Sequence, residues 1–126
     1  MSTTPQADEE DAAPPPDALV AGFLTHLGAE RGVSAYTARN YAQALREFAA
    51  WYRAERNAEP PWTTLRKEEF RFYLRHLGRL ALSPAATRLR FSALRTFYRH
   101  LQRRGIVAEM PVKDVVLPKL PRRRWG

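Results

Sequence analysis

Residues 86–105, ATRLRFSALRTFYRHLQRRG, admit one regular structure. Leu94, Phe97, Tyr98 and Leu101 recur at i, i+3, i+4, i+7, the period of a single helical face. No stretch of the chain alternates with period two, so no strand is predicted. Ser83 precedes the run as an N-cap, and Pro84 takes the first helical position, where its missing N–H costs nothing. Gly105 closes it. With Leu94 set to zero and about 100° per residue, Arg88, Ser92, Arg95, Arg99 and Arg103 fall roughly 100–180° away, on one polar face. Arg90 alone falls on the apolar side. No Asp or Glu stands between Ser83 and Ala108.

The same period recurs three times upstream. Asp17 is the expected cap of a first helix in which Val20, Phe23, Leu24 and Leu27 form the stripe, stopped by Gly32 after Arg31. Ser34 caps a second, with Val33 as hydrophobic staple and Tyr41, Leu45, Phe48 and Tyr52 as stripe, running to about Arg56. Arg39, Arg46 and Arg53 recur every seven residues opposite that stripe. Residues 57–61 read as a loop. A third helix is expected from about Thr64, with Glu68 and Glu69 in its first turn and Phe70, Tyr73, Leu74 and Leu77 inward. Pro111 is expected to start one short helical turn through Val116.

Charge narrows the class of partner. Residues 1–17 hold five acids and no cation, whereas residues 18–126 hold 21 cations against 8 acids, a net of +13. The acidic, proline-rich start is read as a disordered tail over 1–16, and is neither a signal nor a transit peptide. The absence of cysteine excludes disulfides, thiolate zinc sites and cysteine nucleophiles. No apolar run reaches the length of a membrane span. A cytoplasmic, nucleoid-associated protein is therefore expected.

Nothing specifies catalysis. His26, His76 and His100 lie far apart in sequence without ligand-spaced partners, which predicts surface or half-buried histidines and no metal. Glu68 and Glu69 diverge by about 100° on a helix and suit a dipole role better than an acid pair. No glycine-rich phosphate loop occurs, and neither a cofactor nor a small-molecule substrate is expected. Four of the five tyrosines lie on or near apolar stripes.

Uncompensated arginine on two helices repels itself, and an external polyanion relieves that repulsion. Nucleic acid fits, because guanidinium pairs bidentately with phosphate. Duplex DNA fits better than RNA, since its major groove admits an α-helix. Inward-facing aromatics argue against single-strand stacking. Two rival readings remain: a helical interaction module docking an acidic partner, and, more weakly, a membrane-surface binder. Against the second, the apolar stripes are wide enough to close a core.

Two segments carry a resemblance. VSAYTARNYAQALREF resembles the opening of the core-binding domain of tyrosine recombinases, with Ser34, Thr37, Tyr41, Leu45 and Phe48 in the matching places. FSALRTFYRHLQRRGIVAEMPVKDVVLPKLPRRR is similar to its closing segment, through Ser92, Ala93, Leu94, Arg95, Phe97, Tyr98, Leu101, Gly105, Pro111, Pro118, Lys119 and Pro121. The likeness spans roughly residues 18–124 and is greatest to Xer-type recombinases, then to phage and integron integrases. Met110-Pro111 stands for the usual Asn-Pro, and Arg124-Trp125-Gly126 for a Leu-Pro continuation.

The resemblance implies an all-α, SAM-like bundle of four to five helices, packed as two crossed hairpins. It forms half of a clamp on duplex DNA, with the second and fourth helices facing the major groove. It also implies recombinase protomers as partners on DNA and, as parent, a site-specific recombinase, most simply of the type that resolves chromosome dimers. The catalytic domain that would follow the linker is absent, so no catalytic residue carries over and the chain alone is expected to be inactive. An excised domain, a truncated product and a stand-alone relative all fit.

The expected organisation is a tail over 1–16, a helical DNA-binding domain over 17–116 and a basic linker over 117–126. The expected DNA contacts are Arg39, Asn40, Gln43 and Arg46 from the second helix and Arg88, Ser92, Arg95, Arg99 and Arg103 from the fourth. Lys119, Arg122, Arg123 and Arg124 follow along the linker. Most should touch phosphate, which positions without specifying sequence.

Overall fold

The structure, a computed structural model, describes residues 16–120. These hold four helices and no strand: α1 (Pro16–Ala29), α2 (Ala35–Arg56), α3 (Lys67–Arg79) and α4 (Pro84–Arg103). They form two consecutive hairpins, α1–α2 and α3–α4. The most extensive helix contact is between α2 and α4, and α1 packs on both. The all-helical architecture is the one that the apolar periods predict.

Two of the predicted caps form as expected. Ser34 Oγ accepts the Thr37 N–H at 3.0 Å, and Ser83 Oγ accepts the Ala86 N–H at 3.1 Å. Each satisfies one donor that the first helical turn leaves without an intrahelical acceptor. Ser34→Ala is expected to cost about 1 kcal/mol in urea unfolding; an unchanged midpoint would show that α2 starts without its cap. The ends of α2 and α4 turn through left-handed residues, Asn57 at φ 56° and Gly105 at φ 72°. Beyond Gly105, the Ile106 N–H reaches back to the Leu101 carbonyl at 2.9 Å.

Several boundaries differ from the periodic reading. α1 begins at Pro16, so Asp17 lies inside its first turn and is not its cap. It ends at Ala29, and Gly32, at φ 85°, belongs to the turn that follows. Its innermost residues are Leu19, Phe23 and Leu27, with Val20 and Leu24 only partly covered. α3 starts at Lys67 rather than Thr64, because Trp62 is drawn into the core. The Trp62 and Thr64 N–H groups bond the Pro60 and Pro61 carbonyls instead of opening a helix. Glu68 and Glu69 do fall in the first turn of α3. Pro111–Asp114 forms a turn, not a helix.

The core is largely aromatic. Phe48, Phe70, Phe91 and Phe97 are completely buried. Phe48 packs against Trp51, Tyr52, Trp62, Phe70 and Tyr73, with ring centroids 4.9–6.3 Å apart. Trp62, from the connection between the hairpins, also meets Phe97 edge-on at 5.0 Å. The buried Tyr98 hydroxyl donates to the Trp62 carbonyl at 2.7 Å and so tethers that connection to α4. Val112 and Val115, past the last helix, are buried in the same cluster.

Candidate nucleic-acid interface

α2 is flanked by α1 on one side and by α3 and α4 on another, and its remaining face points outward. Arg39, Gln43, Arg46 and Arg53 lie there, all exposed, while Asn40 is half-buried beside them. Arg39 makes no ion pair among the described residues. Arg46 donates to Gln43 Oε1 at 2.9 Å, Gln43 Nε2 donates to Glu47 Oε2 at 3.1 Å, and Arg90 Nε donates to Glu47 Oε1 at 2.8 Å. The arginine that fell on the apolar side of α4 is thus the one that crosses to α2. A polar relay, Arg46–Gln43–Glu47–Arg90, joins the two helices.

This relay corrects the picture of α2 as a bare arginine stripe. Glu47 sits beside that stripe and holds Gln43 and Arg90, so the Gln43 amide is already committed within the protein. Arg53 is likewise engaged, with Glu59 at 3.0 Å.

On α4, Arg99 and Arg103 are exposed with no ion pair among the described residues, and Ser92 is half-buried. Arg88 and Arg95 each bond a backbone carbonyl beyond the helix. Arg88 Nη1 donates to the Pro118 carbonyl at 2.9 Å, and Arg95 Nη2 to the Val115 carbonyl at 3.3 Å. Gln102 Nε2 completes the series on the Ala108 carbonyl at 3.1 Å. Residues 106–118 therefore run back along α4, antiparallel to it, over one edge of its arginine face. This path sets exposed Lys119 next to the carbonyl that Arg88 holds. Lys113, absent from the expected set, joins Arg95 and Arg99 around a cleft of about 640 Å³, in which Glu109 and Asp114 also stand. Arg122, Arg123 and Arg124 lie outside the described residues.

A second basic surface went unread. Arg71, Arg75 and Arg79, spaced at i, i+4, i+8, are exposed on α3. The half-exposed Phe72 ring lies between the Arg56 and Arg75 guanidiniums, at 5.8 and 5.2 Å. Arg56 also pairs with Glu69 at 2.7 Å, which raises its pKa. The four-residue spacing was the available signal.

The tyrosines follow the core reading. Tyr52, Tyr73 and Tyr98 are buried, and burial pushes the Tyr73 and Tyr98 phenols well above their ordinary range. Two histidines, read as unrelated, meet: the His26 and His100 rings stand 4.9 Å apart where α1 crosses α4. His26 pairs with Glu30 at 2.8 Å. His100 is buried against Phe23, and burial, then His26, Arg104 and Arg103, hold its pKa below 6.5, with Glu30 opposing. The unfolded chain then binds this proton more readily than the folded one. Stability is complete above about pH 6.5 and falls as pH drops from there through the folded value. The urea midpoint is expected to be lower at pH 5.5 than at pH 7.5, and His100→Leu should remove most of that difference. An equal difference in the variant would assign it to other groups.

Among the described residues no cluster of three or more His, Asp or Glu could hold a metal ion, and no helix is long and apolar enough to cross a membrane.

Comparison with known proteins adds the relatives. The family model described as phage integrase, N-terminal SAM-like domain, matches residues 20–105. Tyrosine recombinase XerC of Alcanivorax borkumensis is 34% identical over 101 residues, covering 80% of this chain and 31% of the relative. XerC of Xanthomonas campestris pv. campestris (strain B100) is 32% identical over 122 residues, covering 97% and 35%. Tyrosine recombinase XerD of Lacticaseibacillus casei is 33% identical over 104 residues, covering 80% and 33%. The chain spans about a third of the length of the curated relatives it matches. No solved structure matches significantly.

Proposed function

Because the chain belongs to the phage integrase N-terminal SAM-like domain family, we propose that it is a duplex-DNA-binding domain of a tyrosine site-specific recombinase. It grips DNA with the outward faces of α2 and α4. The observation that carries this reading is the pairing itself: the two helices in most extensive contact each turn arginines outward, Arg39 and Arg46 on one, Arg99 and Arg103 on the other. Guanidiniums fixed on packed helices present their forks without the ordering cost of a loop.

In the parent protein the domain forms half of a clamp, and its partners are the DNA and other protomers assembled on it. The chain leaving past Lys119 is the linker to the part that breaks and joins strands. The resemblance to Xer-type recombinases implies resolution of chromosome dimers as the parent's task and the cytoplasmic nucleoid as its place.

The test is fluorescence anisotropy with a labelled duplex across a salt series. The expected result is a Kd on the order of micromolar or weaker at physiological salt, with log affinity linear in log salt. Polyglutamate of matched charge should compete poorly. Equal competition by polyglutamate would favour an acidic protein partner, and absence of duplex binding at low salt would end the DNA reading.

A further inference from the structure

Arg88 and Arg95 stand on the arginine face of α4, yet each spends one donor on the chain that leaves the domain, on the carbonyls of Pro118 and Val115. A guanidinium has five N–H donors in a planar fork, so each keeps further donors for another acceptor. The carbonyls are neutral acceptors and both bonds lie at or near the surface, where such contacts are weak. A phosphate oxygen on the same fork makes a charge-assisted bond, roughly twice as strong as a neutral one. The fork is rigid and planar, so fixing one edge fixes the direction of the other.

Resting on the DNA reading above, we propose that Arg88 and Arg95 are brackets. A DNA phosphate seated on each guanidinium tightens its hold on the exit segment, so that duplex binding sets the direction in which residues 115–120 leave the helical domain. Two features of this chain fit that role. The bracketed carbonyls lie three residues apart, so the pair fixes an orientation and not merely a point. Val116 and Leu120 between and beyond them are exposed, and past Val115 only the partly buried Leu117 packs against the core. Arg88 and Arg95 are thus positioning residues for the segment, as well as phosphate contacts.

The chain has no cysteine, so two can be introduced cleanly, Val116→Cys on the segment and Thr25→Cys on the exposed side of α1. Spin labels there report the distance between segment and domain by pulsed dipolar spectroscopy, with and without a duplex. A broad distribution without DNA should shift to a single narrow one with saturating duplex. In Arg88→Lys/Arg95→Lys, which keeps the charge but loses the fork, binding should weaken, and the distribution should stay broad even when duplex is raised until anisotropy shows saturation. Arg88→Gln/Arg95→Gln, which loses both charge and fork, should likewise stay broad at saturating duplex. A distribution that broadens with DNA would show phosphate displacing the carbonyls, and an unchanged one would show no coupling; either overturns the brackets while leaving DNA binding intact. Anisotropy on the same samples separates these outcomes from a failure to bind DNA, which would overturn both readings.

Discussion

Replacing Arg39, Arg46, Arg99 and Arg103 together with glutamine is expected to weaken duplex binding about 100-fold at low salt, roughly 0.7 kcal/mol for each exposed contact. The slope of log affinity against log salt should flatten by about three to four, close to one per lost phosphate contact. These four are chosen because their side chains are exposed and none supports the exit segment or pairs with an acid among the described residues. Stability should barely change, since glutamine keeps the helical backbone comfortable and little core contact is lost. Arg71→Gln/Arg75→Gln/Arg79→Gln on the outer face of α3 separates location from net charge. If that triple variant loses as much affinity per arginine as the quadruple one, the protein attracts DNA by overall charge and has no preferred face.

Phe48→Ala is expected to cost about 3–5 kcal/mol, the range for removing a buried ring and leaving its cavity. Phe48 is completely buried with five aromatic neighbours from α2, α3 and the inter-hairpin connection. Rings are poor at flowing into a vacated space, so the upper half of that range applies. Against a total stability of about 5–15 kcal/mol for a domain of this size, that loss removes from about a third to nearly all of it. Urea unfolding followed by far-UV circular dichroism measures the loss. Tyr36→Ala, an exposed aromatic on the same helix, provides the contrast and should stay within about 0.5 kcal/mol of the parent. A Phe48→Ala loss below that for Tyr36→Ala would mean that the aromatic cluster is not the core.

Where the sequence spoke of periodicity, it was legible. The stripes of α2 and α4, the Ser34 and Ser83 caps and the outward arginines of both helices follow from spacing alone, because the helical period dictates which residues share a face. The start of α3 was not legible. The period places that start near Thr64, but the helix waits until Lys67 because Trp62 is claimed by a core built from distant residues. Glu47 met Arg90 across 43 positions, and His26 met His100 across 74; such pairings depend on helix packing, which no local pattern encodes. The exit segment was hidden for a different reason. Residues 106–118 have neither period, so their return along α4 could not be foreseen, and with it the commitment of Arg88 and Arg95.

The core draws its parts from both ends of the described chain. Phe23 of α1 packs edge-on against Phe97 of α4 at 5.4 Å, and Val112 is buried in the same cluster. During synthesis the first hairpin therefore leaves the ribosome with the apolar surface that α3, α4 and Val112 later cover still open to water. Complete at Arg56, it has to wait for 56 further positions of chain before Val112 is free to join, at a rate of about 5–20 residues per second. For those seconds Phe23 and Phe48 are open to holdase chaperones and to one another on neighbouring polysomes. Residues 1–56 hold five arginines against eight acids, so the emerging hairpin is weakly acidic, and the basic charge of the finished protein arrives only with the chain that follows.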